Sequence, residues 1–135
     1  MYLIDTDIII YHLKGLPAVT ENMTIHAQAP KFISVITYGE LCFGAAKSIQ
    51  KVKNLATIKR LAALFPVIKL NTEIMDIFGE LKAQLQKKGL CVDDFDLLNA
   101  ATAMYLNYTL VTNNENHYKS IHGLKVQNWA KKNSY

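Results

Sequence analysis

The sequence predicts an α/β fold with three layers, in which helices cover both faces of a central parallel sheet of about four to five strands. Short apolar runs alternate with segments of helical periodicity, a pattern typical of β–α–β connections. The runs assigned to strands are residues 2–5, 32–35, 67–70, 109–112 and 124–127. Because parallel strands end at one edge of a sheet, acids that follow several of these runs predict a site there.

The first half of the chain contains four predicted helices. Thr6 and Asp7 are expected to cap a helix that ends before Gly15 and Pro17, and a second helix is expected over about residues 18–28. Thr37 is expected to cap a helix that reaches about Lys47. A fourth helix over residues 50–64 ends at Pro66, which cannot continue a helix.

The second half contains the strongest helical pattern. Apolar residues recur at helical spacing over residues 72–88, with Asn71 as a cap and Gly89 as a stop. Asp93 or Asp94 is expected to cap the next helix, and a loop or short helix is expected to lead through Tyr118.

Composition favours one domain over residues 1–135, without a membrane span. No apolar run approaches the roughly 20 residues that a span requires, and the N-terminus lacks the pattern of a signal peptide. A cytoplasmic location is therefore expected. Two cysteines in such a domain form neither a disulfide framework nor a zinc site, so Cys42 and Cys91 are expected to be packed thiols.

The few acids are concentrated where strands end and helices begin. Seven of the 11 have this placement: Asp5, Asp7, Glu40, Asp93, Asp94, Asp96 and Glu115. Clustered carboxylates are the ligands that Mg²⁺ prefers. Outside these seven, the chain has four acids and 15 lysines and arginines. This excess of positive charge predicts a basic surface around an acidic pocket. That surface suits a polyanion such as a nucleic acid, although lysines also serve solubility alone.

Several of these acids have structural explanations that compete with a functional one. Asp7 is suited to a first helical turn, and Thr37 with Glu40 matches the capping box, in which the acid binds the cap backbone. Asp96 lies close to two other acids, whose mutual repulsion a cation would relieve. Glu115 is equally consistent with a loop charge.

Rival catalytic patterns are weaker. His117 and His122 lack the cysteine pair that would complete a zinc site, although His117 lies beside the candidate site. Ser34 and Thr112 lack the histidine and acid of a nucleophilic triad.

Four segments together resemble the PIN-domain ribonucleases, and specifically the toxins of the VapC family. They are residues 2–7 (YLIDTD), residues 33–44 (ISVITYGELCFG), residues 96–101 (DLLNAA) and residues 110–114 (LVTNN). Gly123 and Leu124 resemble the family's glycine turn before a final short strand. The resemblance runs nearly end to end in the expected order.

The resemblance implies a site that holds Mg²⁺ or Mn²⁺. Asp5 is similar to the family's central metal ligand, Glu40 to its second acid and Asp96 to its third. Thr6 and Asn114 are expected to hold water or a phosphate oxygen. The fourth acid is open, because Asn114 and His117 stand where the family commonly has an acid, with Glu115 between them. Thr112, in the same segment, and Asp7, where asparagine is commoner in the family, are further candidates.

The resemblance also implies a function and partners. The expected protein is the toxin of a type II toxin–antitoxin system, an endoribonuclease that cleaves structured RNA such as tRNA by metal-activated water. A VapB-like antitoxin and a homodimer are implied, with residues 18–28 and 50–65 as candidate contact faces. Two alternatives remain: a phosphatase that opens on the D-x-D of residues 5–7, and a catalytically weak RNA- or protein-binding module of the same fold.

Overall fold

The central feature of the fold is a five-stranded parallel sheet. The computed structural model describes residues 1–132 of the chain. The strands are β1 (Tyr2–Ile4), β2 (Lys31–Ser34), β3 (Val67–Ile68), β4 (Thr109–Val111) and β5 (Val126–Gln127). Their order in the sheet is β3-β2-β1-β4-β5. The prediction of a parallel sheet of four to five strands is confirmed.

The strand order places a topological switch beside β1. The chain moves from β1 outward to β2 and β3, and later returns to pair β4 with the other side of β1. Leu3 pairs with Leu110 and Ile4 with Val111, so both strands end at the same level. In open parallel sheets, ligands bind in the crevice outside the carboxyl ends of the strands at such a point. The residues after β1 and β4 are therefore the first place to look for a site.

Seven helices connect these strands within residues 1–132. They are α1 (Thr6–Leu13), α2 (Pro17–Ile25), α3 (Val35–Ala46), α4 (Lys51–Leu64), α5 (Thr72–Lys87), α6 (Asp94–Leu106) and α7 (Glu115–Tyr118). The predicted cap of α5 is confirmed, because the Asn71 side chain accepts a hydrogen bond from the Ile74 N–H at 2.8 Å. The predicted glycine turn before β5 is present, since Gly123 has φ +83°.

The alternation of side chains along β1 and β4 divides the core into two clusters. Ile4 and Val111 belong to a cluster with residues of α1 to α4, whereas Leu3 and Leu110 belong to one with residues of α5 to α7. Successive residues of a strand point to opposite faces, so each strand contributes to both clusters. The result is the three-layer arrangement that the sequence predicts.

Several predicted boundaries differ from the structure. The second helix ends at Ile25 instead of near residue 28, and β3 has two residues instead of four. Cys91 is exposed instead of packed, while Cys42 is half-buried. Within residues 1–132, no helix combines the length and the apolar character needed to cross a membrane.

Candidate active site

Asp5 is the most enclosed acid of the chain. It follows β1 directly, is 5% exposed, and caps the N-terminus of α1. Its Oδ1 accepts hydrogen bonds from the Thr6 N–H at 2.8 Å and the Asn99 amide at 3.0 Å. Its Oδ2 accepts from the hydroxyls of Thr112 at 2.9 Å and Tyr118 at 3.2 Å. Four donors from different elements therefore fix one carboxylate at the switch point.

The sequence prediction for the start of α1 is wrong in one respect. Thr6 and Asp7 were the expected caps, but Thr6 is the first helical residue and Asp5 is the cap. The reason is that Asp5 has extended backbone geometry at the strand end, from which its side chain reaches the Thr6 N–H. Asp5 thus starts the helix and also lies at the site.

A buried polar chain supports Asp5 from behind. Asn99 of α6 is 2% exposed, and its Oδ1 accepts a short hydrogen bond from the Ser34 hydroxyl. Ser34 is the last residue of β2 and caps α3 by accepting the Thr37 N–H at 3.1 Å. Asp5 is thereby connected through α6 to the start of α3.

Burial raises the pKa of Asp5, and the charge of nearby Asp96 raises it further. The hydrogen bonds from Thr6 and Thr112 act in the opposite direction, because they stabilise the ionised form. Burial also raises the pKa of Tyr118, and the charge of Asp5 adds to that effect, so this phenol remains a neutral donor. The site is therefore organised around a buried carboxylate whose ionised form is not stabilised by water.

Glu40 of α3 lies beside Asp5 and is held by α1. Its Oε1 accepts a hydrogen bond from the Thr6 hydroxyl at 2.8 Å, and the Thr37 hydroxyl lies 3.0 Å from that of Thr6. Burial raises the pKa of Glu40, the bond from Thr6 opposes this, and the charges of Asp5 and Asp96 raise it further.

The capping-box explanation for Glu40 is wrong. The helix begins at Val35, three residues earlier than predicted, and its cap is Ser34 instead of Thr37. The β-branched Val35 and Ile36 resemble a strand in sequence, but the Ser34 hydroxyl starts the helix before them. Glu40 therefore lies beyond the first turn, and its side chain is directed to Thr6 instead of to a cap.

Asp7 connects α1 to the loop after β4. Its Oδ1 accepts from the Ile8 N–H at 2.8 Å and its Oδ2 from the Asn113 N–H at 2.9 Å. Burial raises the pKa of Asp7 to about 6, and the charge of Asp5 contributes to this shift. Asp7 thus combines a helix-start role with a place in the same acidic field.

Asp96 forms the open corner of the site. It lies in the first turn of α6, and its Oδ2 is 3.0 Å from Nδ1 of His117 on α7. A carboxylate can only accept, so the Nδ1–H of His117 donates this bond. The charge of Asp96 raises the pKa of Asp5, Asp7 and Glu40, which indicates that Asp96 lies in the same acidic pocket as these three acids.

The three acids at the start of α6 have different partners in the structure. The Asp93 side chain caps the helix at the Phe95 N–H, 2.9 Å away. Asp94 forms an ion pair with Lys82 at 3.0 Å. Asp96 is the one of the three whose side chain contacts another candidate site residue, His117.

The segment after β4 contributes unequally to the site. Thr112 is fully buried, donates to Asp5 and accepts the Asn114 N–H at 3.1 Å. The Asn114 side chain forms no cap hydrogen bond with α7. Glu115 forms an ion pair with Lys131 at 2.7 Å, which is an ordinary surface contact. The structure thus places Thr112 in the site and supports the structural explanation for Glu115.

The donor chemistry of the acidic pocket suits a hard divalent cation. Within residues 1–132, no lysine or arginine forms an ion pair with Asp5, Asp7, Glu40 or Asp96. Over the same range, no three histidine, cysteine, aspartate or glutamate side chains are grouped closely enough to hold an ion by themselves. Mg²⁺ commonly binds one or two carboxylates and keeps several waters, so the oxygen donors of this pocket fit it.

Two side chains that contact Asp5 are not predicted from the sequence. Asn99 belongs to a segment that carries the family resemblance, but its contact with Asp5 was not predicted. Its position, three residues after Asp96 on a helix and among apolar neighbours, is the signal that it shares the face of Asp96. Tyr118 is an aromatic residue in a short helix, and nothing local distinguishes it from core.

The fold and this site define a PIN domain. The family profile described as "PIN domain" matches residues 2–121, which is most of the chain. A protein from Rickettsia felis named "Ribonuclease VapC2" is 33% identical over 133 residues, covering 97% of this chain and 99% of that protein. A protein from Shigella flexneri named "tRNA(fMet)-specific endonuclease VapC" is 31% identical over 130 residues, with 96% and 98% covered.

Solved structures agree with these relatives. The VapBC2 structure from Rickettsia felis, bound to a DNA fragment from their promoter, contains a chain with a TM-score of 0.88 and 32% identity, with 95% of this chain and 98% of that chain covered. A chain of VapBC-1 from nontypeable Haemophilus influenzae has a TM-score of 0.88 and 30% identity, with 96% of this chain and 98% of that chain covered. The chain therefore belongs to the PIN domain family and, within it, to the VapC ribonucleases.

Proposed function

We propose that this chain is the toxin of a type II toxin–antitoxin pair and an endoribonuclease that requires Mg²⁺ or Mn²⁺ and cleaves structured RNA. The observation that carries the proposal is the arrangement at the switch point. Four acids share one electrostatic field there, and no basic side chain of residues 1–132 forms an ion pair with Asp5, Asp7 or Glu40. Such a field favours a divalent cation over a neutral ligand.

Asp5, Glu40 and Asp96 are the residues that would hold the ion. When bound, such an ion lowers the pKa of a water and offsets the charge of the scissile phosphate. Because no three such side chains within residues 1–132 are grouped closely enough to hold an ion by themselves, part of this contact would pass through water molecules bound to the ion.

The remaining site residues orient these acids. Asn99, Thr112 and Tyr118 hold both oxygens of Asp5, so its carboxylate keeps one orientation. The Thr6 hydroxyl does the same for Glu40. His117 holds Asp96 at the solvent side, where the substrate would enter. The Asn114 side chain forms no cap hydrogen bond with α7, and we expect it to contact a phosphate oxygen.

RNA is supported as the substrate by charge and by the names of relatives. Lysines and arginines exceed acids by four over the whole chain, although the acids are concentrated at one edge of the sheet. The basic remainder suits a phosphate backbone. The Shigella flexneri relative is named for tRNA(fMet), and on that basis tRNA is the structured RNA that we favour.

The proposal is tested by Asp5→Asn, which changes the carboxylate into an amide of the same size. Cleavage of tRNA with Mg²⁺ is expected to fall by about 10²-fold or more, because a ligand and its charge are lost. Asp76→Asn, on an exposed position of α5, is the matched control and should leave cleavage unchanged. The readout is the initial rate, with sequencing of the new 5′ ends to locate the cut.

Two results would contradict the metal-dependent mechanism. One is cleavage by Asp5→Asn at the rate of the unaltered protein. The other is cleavage by the unaltered protein in excess EDTA, at a rate that does not rise when Mg²⁺ is added back.

An antitoxin partner is supported by an apolar groove next to Glu40. The groove has a volume of about 450 Å³ and lies between α1, α3 and α4, with Ile10, Leu13, Leu41 and Ile58 among its lining residues. Three structures with a similar chain are those of VapBC proteins. We propose that a VapB-like antitoxin binds this groove and so covers Glu40, and that the toxin itself is a homodimer.

Leu13→Glu tests the groove, because Leu13 lines it and is 44% exposed. Affinity for the antitoxin encoded beside this chain is expected to fall by at least about 10-fold, measured by calorimetry. Met75→Glu, at a position of α5 that is 42% exposed, is the control and should bind normally. Equal affinities for both variants would show that the antitoxin does not bind in this groove. Light scattering of the toxin alone measures whether it is a homodimer.

The phosphatase alternative lacks support in the site. A phosphatase of that class also needs a lysine at the site, and within residues 1–132 no lysine forms an ion pair with Asp5 or Asp7. The match to the PIN domain family also separates this chain from that class. The weak-binding alternative makes a different prediction, which is RNA binding without cleavage in the presence of Mg²⁺.

A further inference from the structure

We propose that Asn99 is a positioning residue which, held by Ser34, orients the Asp5 carboxylate for metal binding. The inference rests on the proposed function and adds a residue to its site. Asn99 is 2% exposed and Ser34 is fully buried, so neither can contact RNA or solvent directly. Their effect on the reaction would have to pass through Asp5.

The direction of the amide is fixed by its neighbours. Ser34 accepts the Thr37 N–H at 3.1 Å, so its own hydroxyl hydrogen is available to donate elsewhere. It donates to Oδ1 of Asn99, which leaves the Asn99 NH₂ group to donate to Asp5 at 3.0 Å. If the amide were reversed, an oxygen would face the carboxylate and an NH₂ group would face the Ser34 hydroxyl. The hydrogen-bond chain thus assigns the orientation of the amide.

The same chain couples three elements that carry proposed ligands. Ser34 starts α3, which bears Glu40; Asn99 lies on α6, which bears Asp96; and Asp5 starts α1. A shift of one helix against another would stretch a buried hydrogen bond, and buried polar groups are costly to leave unpaired. The chain of three side chains therefore sets the relative positions of the helices that carry the acids.

The distribution of donors around Asp5 explains why Asn99 matters. Among residues 1–132, the Asp5 oxygen Oδ1 accepts from the Thr6 N–H and the Asn99 amide, whereas Oδ2 accepts from two hydroxyls. Hydroxyls rotate and can turn away, but an amide held at both ends cannot. Without Asn99, the backbone N–H of Thr6 would be the one group left to restrain Oδ1 among these contacts.

The experiment measures Mn²⁺ affinity by calorimetry, apart from any cleavage assay. Asn99→Leu, of similar size and without hydrogen bonds, is expected to weaken Mn²⁺ binding by about 10–100-fold, the usual effect of losing a group that orients a ligand. The kcat for RNA cleavage should fall with it, while the KM for RNA stays unchanged because Asn99 is buried. Thr102→Val is the matched control, since Thr102 is a buried residue of α6 that bonds only to the Leu98 carbonyl oxygen among the contacts described for residues 1–132.

Ser34→Ala provides a second measurement in case Asn99→Leu does not fold. It removes the hydroxyl that fixes the amide, and a smaller loss of Mn²⁺ affinity, about 3–10-fold, is expected. In the double variant, the change at Ser34 should add little to the change at Asn99, because the two act as one unit.

Three results would overturn the inference. They are Mn²⁺ affinity of Asn99→Leu equal to that of the unaltered protein, an equal loss in Thr102→Val, and fully additive losses in the double variant. Failure of the unaltered protein to bind Mn²⁺ or cleave RNA would instead contradict the proposed function. The two ideas therefore fail in distinguishable ways.

Discussion

Two corners of the same acidic pocket are built in opposite ways. Asp5 is 5% exposed and receives hydrogen bonds from four donors, whereas the Asp96 side chain is 22% exposed and contacts His117, whose own side chain is 55% exposed. The buried corner is fixed before any ligand arrives. The open corner is able to adjust, so ligand exchange and substrate entry are expected there.

The largest test of this contrast is Asp96→Asn. Cleavage is expected to fall by about 10²-fold or more, as with Asp5→Asn, because both carboxylates are proposed ligands. Stability without metal should differ between the two. Asp5→Asn is expected to raise the melting temperature at neutral pH, since the raised pKa of Asp5 means that its buried charge destabilises the fold.

The partly exposed Asp96 should change the melting temperature little when replaced. Calorimetry of both variants in EDTA measures this difference. A melting temperature lowered more by Asp96→Asn than by Asp5→Asn would contradict the assignment of fixed and open corners.

A smaller effect is expected from Asp7, which lies between the corners. Its pKa is about 6 in the folded protein and near 3.8 when unfolded. Between these values the folded state binds more protons, so stability falls as pH rises from about 4 to about 6. Asp7→Asn should remove this fall, and should be more stable than the unaltered protein at pH 7.5 by about 1–2 kcal/mol, after allowance for solvent screening.

Urea unfolding at pH 4 and pH 7.5, without metal, provides the measurement. The informative quantity is the difference between the two proteins at each pH, because Asp5 and Glu40 contribute to the pH dependence of both. A difference that does not grow with pH would mean that Asp7 has an ordinary pKa.

The smallest effect is expected from Glu115, which remains a candidate by position alone. Its ion pair with Lys131 is on the surface, where such pairs contribute about 0–1 kcal/mol. Glu115→Gln should therefore leave both cleavage and Mn²⁺ affinity unchanged. A 10-fold loss of Mn²⁺ affinity would make Glu115 the missing fourth acid.

Much of the fold follows from local sequence, because strand and helix periods are strong over the segments concerned. The parallel sheet and the helix after Asn71 are predicted for that reason. The start of α3 is not, because Val35 and Ile36 favour a strand and the deciding group is the Ser34 hydroxyl. Sequence alone cannot weigh these two signals.

The candidate site divides in the same way. Asp5, Glu40 and Asp96 are predicted by their places after strands, by a family resemblance, or by both, and the structure brings their charges into one field. The contacts of Asn99 and Tyr118 depend on chain segments that lie 94 and 113 residues from Asp5. No local pattern carries information about pairings at that distance.

These separations have a consequence for synthesis of the protein. Asp5 is made before its partners, since Asn99, Thr112 and Tyr118 are made 94, 107 and 113 residues later. Contacts so distant in sequence form late, because a long stretch of chain must be ordered to close them. A growing chain on the ribosome therefore lacks an assembled site until the segment through Tyr118 has been made, and copies that stop before this segment would lack nuclease activity.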